Sequence, residues 1–515
     1  MNNHKTAIAG LQPLKHPEVV IGLVGPVGTD LRVVMRCVTA EFAAVGYQVQ
    51  EIRLSAMLHS FSEHDHLNQL GMDEARRIDA HMDAADSLRQ RTACADIMAL
   101  LSVARIRKER RDLAERRAST APIVYILNSL KHPEEVETLR KIYGNLFFAI
   151  SVYAPRAERV SRLAERIAQS KSEPNADDHR SDAERLVQKD ANAARSGAGQ
   201  NVRDAFPKSD FFLRWGTEGA MRAEVQRLVE LLFGHPFHTP RRDEHAMFLA
   251  QAAALRSADL SRQVGAAILS ESGSIIGIGC NEVPRVGGGI VWAGEGNDFR
   301  DFVVGYDASA RKKREIVREI FSSLRGAKWL SESLDQRSLD ELVDDALENG
   351  DNPPLRDARV SSIIEFGRIV HAEMNSLLDA MSRSQTVTDA TLYCTTFPCH
   401  MCARHIVGAG IRKVVYIEPY PKSLARDLYH NEICVEDDGD RADAVRFEAF
   451  MGVAPRQYMS LFAMPRRKIE SGDRIEWQAG SATFRYAILN RAYLDNESAV
   501  VEHVKSALTE AGLTI

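Results

Sequence analysis

Two short motifs in the second half of the chain could hold one metal ion. His371, Ala372 and Glu373 stand together, and Cys399 follows 28 residues after the histidine, with Cys402 one helical turn further on. Residues three apart on a helix share a face, so the two thiols can bind the same ion. Three protein ligands and one open position form the arrangement of a catalytic zinc site. The pattern therefore predicts that His371, Cys399 and Cys402 meet at a zinc ion.

Each motif stands at the start of a predicted helix. Apolar residues recur at helical spacing over 371–381, and 399–407 is a second helical segment that ends in a glycine-containing turn. The exposed N–H groups of a first helical turn favour thiolates, and a proline there gives up no useful donor, which accounts for Pro398. Glu373 is expected to stay off the metal and to carry a proton during catalysis.

A structural zinc site is the alternative interpretation. Such a site needs a fourth protein ligand, which His400 or His405 could supply, but Glu373 and Pro398 would then have no role. The segment 282–370 contains no Cys or His, so it offers no soft ligand for a second zinc. The remaining cysteines are more typical of small core residues, namely Cys37, Cys94, Cys280, Cys394 and Cys434.

Length and composition narrow the class of protein. A chain of 515 residues is longer than one core usually holds, so two main domains are expected. The formal net charge of -5 gives no global basic field of the kind that favours nucleic-acid binding. No apolar run reaches the ~18 residues of a membrane span, and the first residues lack the apolar core of a secretory signal. Seven cysteines, an odd number spread over the chain, are typical of a reducing cytoplasm. We therefore expect a cytoplasmic protein.

The first half alternates short apolar runs with helical segments, which predicts a parallel α/β sheet. An apolar run at 19–24 enters a glycine-containing turn and is followed by an amphipathic helix at 31–45. A polar, charged stretch at 169–205 is expected to be a mobile lid or loop. Further predicted elements are strands at 48–54, 123–127, 146–153 and 211–213 and helices at 103–117 and 225–233.

The turn after the first strand has the position of a phosphate-binding loop. Gly25, Gly28, Thr29 and Asp30 are therefore candidates for nucleotide binding. The turn is not a Walker A sequence, because the lysine that reaches phosphates and the hydroxyl that holds magnesium are replaced. An aspartate beside a phosphate repels it unless a cation intervenes. Phosphoryl transfer is not expected here.

The second half begins after a linker with two prolines at 235–243. A long segment at 282–370 interrupts its pattern, and the tail from about 466 has no clear pattern. Its predicted elements are a helix at 244–256, hairpin strands at 264–269 and 275–280, and strands at 391–396 and 413–417.

Together these motifs resemble the deoxycytidylate deaminase family. The H-x-E and P-C-x-x-C pair is a signature of zinc-dependent nucleobase deaminases. The resemblance implies an α/β/α deaminase fold, a Zn²⁺ cofactor and a deoxycytidine nucleotide as substrate, whose cytosine becomes uracil with release of ammonia. It covers roughly 244–430. The stretches that carry it are Arg262–Leu269, Ile276–Pro284, His371–Glu373, Thr391–Ala403 and Gly410–Tyr416.

The same resemblance implies substrate contacts. Asn281 would bind the sugar, Tyr420 would line the pocket, and Arg262 would bind phosphate by charge-assisted hydrogen bonds. Ala372, between the metal ligand and the proton carrier, belongs to the same implied substrate set. Two alternatives stay open, a turn-forming role for Asn281 and an ordinary surface position for Arg262.

The first half extends the resemblance. The segment from Gly199 to Phe212 resembles the closing part of small nucleotide kinases. A P-loop kinase-like domain ahead of a deoxycytidylate deaminase domain resembles the bacterial anti-phage dCTP/dCMP deaminases. That resemblance implies depletion of the dCTP pool in antiviral defence, a homo-oligomer, and a nucleotide effector or small inhibitory RNA at the first domain. The expected parts are a leader at 1–17, a P-loop nucleotide-kinase-like domain at 18–236, a CMP/dCMP-type zinc deaminase domain at 237–465 with its insert at 282–370, and a C-terminal extension at 466–515.

Two other functions are considered. A deaminase of tRNA or single-stranded DNA would need a basic groove. The candidate is an arginine-rich helix, although its interspersed acidic residues are more typical of a solvated face. A regulatory protein would bind a nucleotide or RNA in the first half and gate the second half through 169–205. The basic residues of that helix are Arg105, Arg107, Lys108, Arg110, Arg111, Arg116 and Arg117.

Overall fold

The computed structural model divides the chain into two compact units. Unit 1 consists of Met1–His245 with Ala449–Ile515, and unit 2 consists of Ala246–Glu448. The residues that the structure describes are 14, 16–68, 73–115, 121–192, 199–296, 298–350, 353–356, 358–420, 422–435, 441–486 and 492–513. Most of the predicted leader at 1–17 lies outside them, as do Arg116 and Arg117.

Unit 1 contains a six-stranded sheet of order β12-β5-β4-β1-β3-β2. Strands β1 to β5 are parallel, and β12 pairs antiparallel with β5. All six residues of β1 are buried, as expected for a central strand of a parallel sheet with an uninterrupted apolar sequence. The parallel α/β sheet predicted for the first half is confirmed. Its strands are β1 Val19–Val24, β2 Gln48–Arg53, β3 Ile123–Leu130, β4 Phe147–Tyr153, β5 Phe211–Arg214 and β12 Gly452–Val453.

Helices surround this sheet. Asp30 caps the first one, because its carboxylate accepts a hydrogen bond from the backbone N–H of Arg32 at 3.1 Å. The helices of unit 1 are α1 Leu31–Ala44, α2 Leu54–Met57, α3 Glu74–Thr92, α4 Ile97–Glu115, α5 Pro133–Tyr143, α6 Arg156–Lys171, α7 Arg180–Asn192, α8 Val202–Ala205, α9 Glu218–Leu232, α18 Pro455–Phe462 and α19 Tyr493–Glu510.

The loop predicted at 169–205 is wrong for most of its length. The end of α6, all of α7 and α8 lie in this stretch, while 193–198 falls outside the described residues. A thin apolar stripe, hidden among the charged residues, holds α7 against α6. That stripe includes Leu163, Ile167, Ala183, Leu186 and Val187, all of them buried.

The C-terminal part of the chain returns to unit 1. Residues 449–465, expected in the deaminase domain, and 466–515, expected as a separate extension, both cluster with the first 245 residues. Strand β12 extends the sheet of unit 1, and the apolar face of α19 packs into the core of the same unit. The sequence pattern hides this return because the pairing partners lie more than 200 residues apart.

Unit 2 contains a mixed six-stranded sheet of order β10-β11-β9-β8-β6-β7. The predicted hairpin is confirmed, since β6 and β7 are antiparallel, and β8 runs parallel to β9. Its strands are β6 Gly265–Leu269, β7 Ile275–Cys280, β8 Thr391–Thr396, β9 Lys413–Glu418, β10 Ile433–Val435 and β11 Val445–Ala449. Its helices are α10 Arg242–Ala254, which begins in unit 1, α11 Asp301–Val304, α12 Ala308–Gly326, α13 Glu332–Asp335, α14 Leu339–Leu347, α15 Ala372–Ser382, α16 His400–Gly408 and α17 Ala425–Leu428.

Two glycines set how closely α15 lies on the sheet. A Cβ atom on Gly277 would lie 2.2 Å from the carbonyl oxygen of Ser376. A Cβ atom on Gly279 would lie 2.4 Å from the backbone nitrogen of Ser376. Both contacts are shorter than any side chain allows, so β7 needs glycine there. The Asn375 amide also donates to the carbonyl of Cys280 at 2.9 Å. This close packing fixes the start of α15, where the first metal-site motif stands.

No helix among the described residues is long and apolar enough to cross a membrane.

Candidate active site

Three side chains predicted to bind zinc meet in unit 2. The Nδ1 atom of His371 lies 3.3 Å from Sγ of Cys399 and 3.4 Å from Sγ of Cys402. One ligand atom of each residue lies within 4.8 Å of the other two. These separations suit three ligands around one tetrahedral ion with bonds of ~2.0–2.3 Å. One imidazole and two thiols form a donor set that zinc prefers.

The ligands come from the starts of two helices. His371 immediately precedes α15, and Cys399 precedes α16, where its sulfur accepts a hydrogen bond from the Cys402 N–H at 3.4 Å. Cys402 lies one turn into α16, on the same face and fully buried. The position of both motifs at helix starts is as the sequence predicts.

The pKa values of the three ligands are shifted in different directions. Hydrogen bonding to Cys402 and to His371 lowers the pKa of the Cys399 thiol, and the hydrogen bond with Cys399 raises the pKa of His371 to about 9. The pKa of Cys402 is raised by its hydrogen bond with Cys399 and by burial. One thiolate is therefore ready to bind a cation, while zinc must displace protons from the other two ligands.

Glu373 lies beside the ligands and does not join them. Its side chain is 4% exposed and lines the same cavity as His371 and Cys399. Burial, and then the charge on Cys399, raise the pKa of this carboxyl group. A buried carboxyl group with a raised pKa can take up a proton and return it near neutral pH.

The described residues offer no fourth protein ligand to this cluster. The Nε2 atom of His400 faces Glu365 at 3.7 Å, and His405 is exposed on the outside of α16. The geometry therefore favours a site with one open position over the four-ligand structural alternative.

A cavity of about 290 Å³ opens on the metal ligands. Its size is close to the ~300 Å³ lower end of small-molecule sites. His371, Cys399 and Glu373 lie on its wall, together with Asn281 and Tyr420 from the implied substrate set.

Asn281 is held by the protein through its whole amide. Its Nδ2 donates to Asp259 Oδ2 and to the carbonyl of Arg262, each at 2.7 Å, and its Oδ1 accepts from Val264 N–H at 2.7 Å. Both amide protons are used, so a substrate hydroxyl could only donate to the remaining lone pair of Oδ1. Asn281 therefore lines the cavity and also holds Asp259, Arg262 and Val264 in place through these hydrogen bonds.

Arg262 and Tyr420 lie together at the cavity. Arg262 is exposed, and its guanidinium lies 5.7 Å from the centre of the half-buried Tyr420 ring. Ala372 is different, because it is fully buried in the first turn of α15 and is not among the described residues that line the cavity.

The insert at 282–370 supplies another part of the wall, which sequence reasoning missed. Helix α12 contributes Ser309 and Lys313, and the segment before α15 contributes Ser362 and Arg368. Arg368 donates to Asp301 Oδ1 at 2.7 Å. The basic start of α12 is the signal in the sequence that could have indicated this role.

The loop candidates Gly25, Gly28, Thr29 and Asp30 lie in unit 1, where they line a separate cavity. Gly28 has a φ of +90°, and a Cβ atom there would stand 2.5 Å from the carbonyl oxygen of Arg159. Local packing therefore requires this glycine whether or not a ligand binds.

The arginine-rich helix α4 is partly engaged in ion pairs. Arg110 pairs with Glu18 and Glu497, and Arg105 pairs with Glu109 one turn along the helix. These contacts agree with a structural and solvated face for this helix.

The segment that contains the site is similar to known deaminases. Residues 240–418 match the family described as the cytidine and deoxycytidylate deaminase zinc-binding region. Deoxycytidylate deaminase of enterobacteria phage T4 is 43% identical over 54 residues, which are 10% of this chain and 28% of the phage protein. Human deoxycytidylate deaminase is 25% identical over 217 residues, or 42% of this chain and 79% of the human enzyme. The chain thus spans less than a third of the length of the phage deaminases that it matches.

Two solved structures show a weaker likeness. A dCMP deaminase from cyanophage S-TIM5 in complex with dCMP and dUMP has 18% identity and a TM-score of 0.23, over 42% of this chain and 100% of that one. A diaminohydroxyphosphoribosylaminopyrimidine deaminase/reductase from Thermotoga maritima has 14% identity and a TM-score of 0.21, over 43% of this chain and 39% of that one. The match over 240–418, together with the His/Cys/Cys cluster, shows that this segment is similar to the zinc-binding region of cytidine and deoxycytidylate deaminases.

Proposed function

We propose that this protein catalyses the zinc-dependent hydrolytic deamination of a free deoxycytidine nucleotide, dCMP or dCTP, to the uracil nucleotide. The observation that carries the proposal is the placement of Glu373 on the wall of one cavity with His371 and Cys399, two members of the His371, Cys399 and Cys402 cluster. The family match over 240–418 supports the reaction class, and the names of the deoxycytidylate deaminases that it resembles support the substrate class.

The residues divide the work. A zinc ion held by three ligands supplies activation of water, whose pKa it lowers from about 15.7 toward about 7. Glu373 accepts a proton as the water oxygen bonds to the carbon bearing the amine, and delivers it to the ring nitrogen. It then takes the remaining proton from the new hydroxyl group on that carbon and passes it to the amine, so that the C–N bond breaks and ammonia leaves as the carbonyl forms. Burial of the carboxylate keeps bulk water from taking these protons.

The cavity wall supports a nucleotide as substrate. Asn281 and Tyr420 line the same cavity as Glu373, which supports the proposed sugar contact of Asn281 and the proposed pocket-lining role of Tyr420. Arg262 and Lys313 provide cationic groups on the same wall, which suit a phosphate group, whereas Arg368 is paired with Asp301.

An assay of ammonia release tests the proposal directly. The purified full-length protein is offered dCMP, dCTP, CTP, dATP and a cytosine-containing oligonucleotide. We expect turnover of dCMP, dCTP or both, loss of turnover after chelation, and recovery when zinc is restored. Turnover of the oligonucleotide alone would establish the nucleic-acid deaminase instead, and turnover that survives complete zinc removal would refute the metal mechanism.

We propose that unit 1 is a P-loop kinase-like domain that regulates the deaminase. The strand order β5-β4-β1-β3-β2 with a loop and helix after β1 supports this fold. The expected effectors are a nucleotide or a small inhibitory RNA. Binding of each to the full-length protein, with the rate of deamination measured alongside, tests this role.

We propose a cytoplasmic homo-oligomer that depletes dCTP during phage infection. Support comes from the order of the two domains, which resembles the anti-phage deaminases. Cells carrying the gene should lose dCTP after infection and reduce phage yield, whereas cells carrying the Glu373→Ala variant should do neither. Sedimentation of the purified protein gives the oligomeric state, and a monomer would contradict that part of the proposal.

A further inference from the structure

Unit 1 contains a cavity of about 780 Å³ beside the loop that follows β1. This volume lies within the ~300–1,000 Å³ range of sites that bind ligands of nucleotide size. The loop residues Gly25 to Asp30 form one wall, and Lys131, at the end of the neighbouring β3, lies on another. Crevices at the carboxyl ends of parallel strands, where the strand order reverses, are the usual ligand sites of such sheets.

A carboxylate of the protein itself occupies the anion position of this loop. Asp190, in the last turn of α7, accepts a hydrogen bond from Val27 N–H at 2.7 Å and one from Lys131 Nζ at 3.0 Å. The same lysine donates to the carbonyl of Gly25 at 2.7 Å. A loop amide and a lysine ammonium are the groups that a phosphate-binding loop offers to a phosphate oxygen. Asp190 is only 1% exposed, so this contact is made away from water.

Three buried polar atoms on the cavity wall have no hydrogen-bond partner among the described residues. They are Oγ1 of Thr29, Oγ of Ser129 and Oε1 of Gln200. All three residues line the cavity, and Thr29 and Gln200 are 8% and 6% exposed. An unsatisfied buried polar atom costs free energy, and in a cavity wall a ligand is the natural partner for it.

The apolar anchors of α7 against α6, Leu186 and Val187, come before Asp190 in sequence. Lys189 pairs with Asp79 and Asp83 of α3, and the exposed pair with Asp83 contributes little to stability. The contact of Asp190 with the loop therefore lies outside the apolar packing that holds α7 on α6.

Resting on the nucleotide-binding role proposed above for unit 1, we propose that Asp190 occupies the phosphate position of this cavity until a nucleoside polyphosphate displaces it. The ligand then takes over the Val27 N–H and the Lys131 ammonium and supplies partners to Thr29 and Gln200. Among the arginines of the cavity, Arg32 pairs with Asp30, whereas Arg77 and Arg166 share the single carboxylate of Glu74 and so keep a net positive charge. That charge favours a phosphate group, and the negative charge of Asp190 opposes it.

The first test is titration of the full-length protein with ATP and with inorganic pyrophosphate, neither of which carries a cytosine ring. Asp190→Asn keeps the shape of the side chain and removes the negative charge beside the incoming phosphate. We expect it to bind at least about tenfold more tightly than the unmodified protein, because juxtaposed like charges are strongly unfavourable. Glu184→Gln, a surface change on the same helix, should leave the affinity unchanged. Equal affinity of Asp190→Asn and the unmodified protein, or no binding by either, overturns the proposal.

The second test needs no variant. Hydrogen exchange of the unmodified protein is compared with and without saturating pyrophosphate. Displacement of Asp190 should speed exchange in the last turn of α7 and slow it in the loop at 25–30. Protection of both segments, or no change in either, would show that Asp190 is a fixed structural group.

Discussion

His371 and Cys399 form a hydrogen-bonded pair in which the proton favours the imidazole. The contact raises the pKa of His371 to about 9, so the imidazole carries its extra proton at neutral pH until zinc replaces that proton. The pKa of Cys402 is raised as well, which makes this thiol a second group that must lose a proton. Metal binding at this site is therefore coupled to proton release.

Zinc affinity should rise with pH. Below about pH 9 the His371 proton competes with the metal, so each unit of lower pH weakens binding about tenfold for every proton displaced. Competition with a chromogenic chelator between pH 6 and 9 measures this slope. A flat profile over that range would show that the ligands are already deprotonated.

Glu373 should be needed for chemistry and not for the metal. Glu373→Gln keeps the size of the side chain and removes the proton acceptor, so kcat should fall at least about 10²-fold. Zinc content per chain, measured on the same preparation, should stay at the level of the unmodified protein. Glu365→Gln, an exposed acid that faces His400, is the matched control and should keep its activity. If Glu373→Gln lost zinc instead, the residue would be a ligand.

Substitution of Asn281 and substitution of Arg262 should have different effects on stability and on substrate binding. Asn281→Ala removes three hydrogen bonds that hold the segment from Asp259 to Val264, so it should lower the free energy of unfolding by about 1–3 kcal/mol in addition to impairing turnover. Arg262→Ala changes an exposed side chain and should raise KM for dCMP with little change in Tm. Melting curves and steady-state kinetics of the two variants separate these effects. Equal Tm losses would mean that Arg262 is also structural.

The insert at 282–370 contains packed helices and contributes residues to the site. Helix α12 packs on α14 through Val317 and Val343, and Arg314 and Arg318 of α12 pair with acids of the same neighbour. This packing directs Ser309 and Lys313 of α12 to the cavity that holds the metal ligands. An insert confined to the protein surface would not contribute side chains to this cavity.

Lys313 and Lys312 offer a matched pair of variants. Lys313 lines the cavity, whereas its neighbour Lys312 pairs with Glu315 on the exposed side of α12. Lys313→Ala should raise KM for dCMP about tenfold through loss of a charged contact to the phosphate group, and leave KM for deoxycytidine unchanged. Lys312→Ala should alter neither. Equal effects of Lys313→Ala on nucleotide and nucleoside would exclude a phosphate contact.

At the scale of the whole molecule, unit 1 is built from both ends of the chain. Glu497 of α19 is 1% exposed, and it accepts hydrogen bonds from Arg110 at 2.6 and 2.9 Å and from the Tyr143 hydroxyl at 3.0 Å. The partners come from α4 and α5. The C-terminal helix is therefore part of the core of this unit.

Glu497→Ala should destabilise unit 1 strongly. The change leaves the Arg110 guanidinium with Glu18 alone and the Tyr143 hydroxyl without its partner, and breaking a buried pair typically costs about 3–5 kcal/mol. Glu502→Ala, on the exposed side of the same helix, should stay within about 0.5 kcal/mol. Denaturant unfolding of both variants measures the difference, and equal stabilities would show that α19 contributes little.

The sequence alone determined the features whose information is local. The cluster of His371, Cys399 and Cys402 and the strands and helices around it follow from motif spacing and periodicity, because helix starts, thiol pairs and buried strands obey short-range rules. The apolar strand β1 and the hairpin β6–β7 were predictable for the same reason.

Contacts between residues that are far apart in the sequence could be identified only from the tertiary structure. Lys313 reaches the metal cavity, Asp190 reaches the loop after β1, and Glu497 reaches Arg110 through contacts between segments far apart in sequence. The helix α7 escaped prediction because few apolar residues hold it, and they matter only when α6 lies beside them. The role of a charged or polar side chain depends on the residues that lie next to it in the folded protein. A sequence pattern does not show which residues these will be.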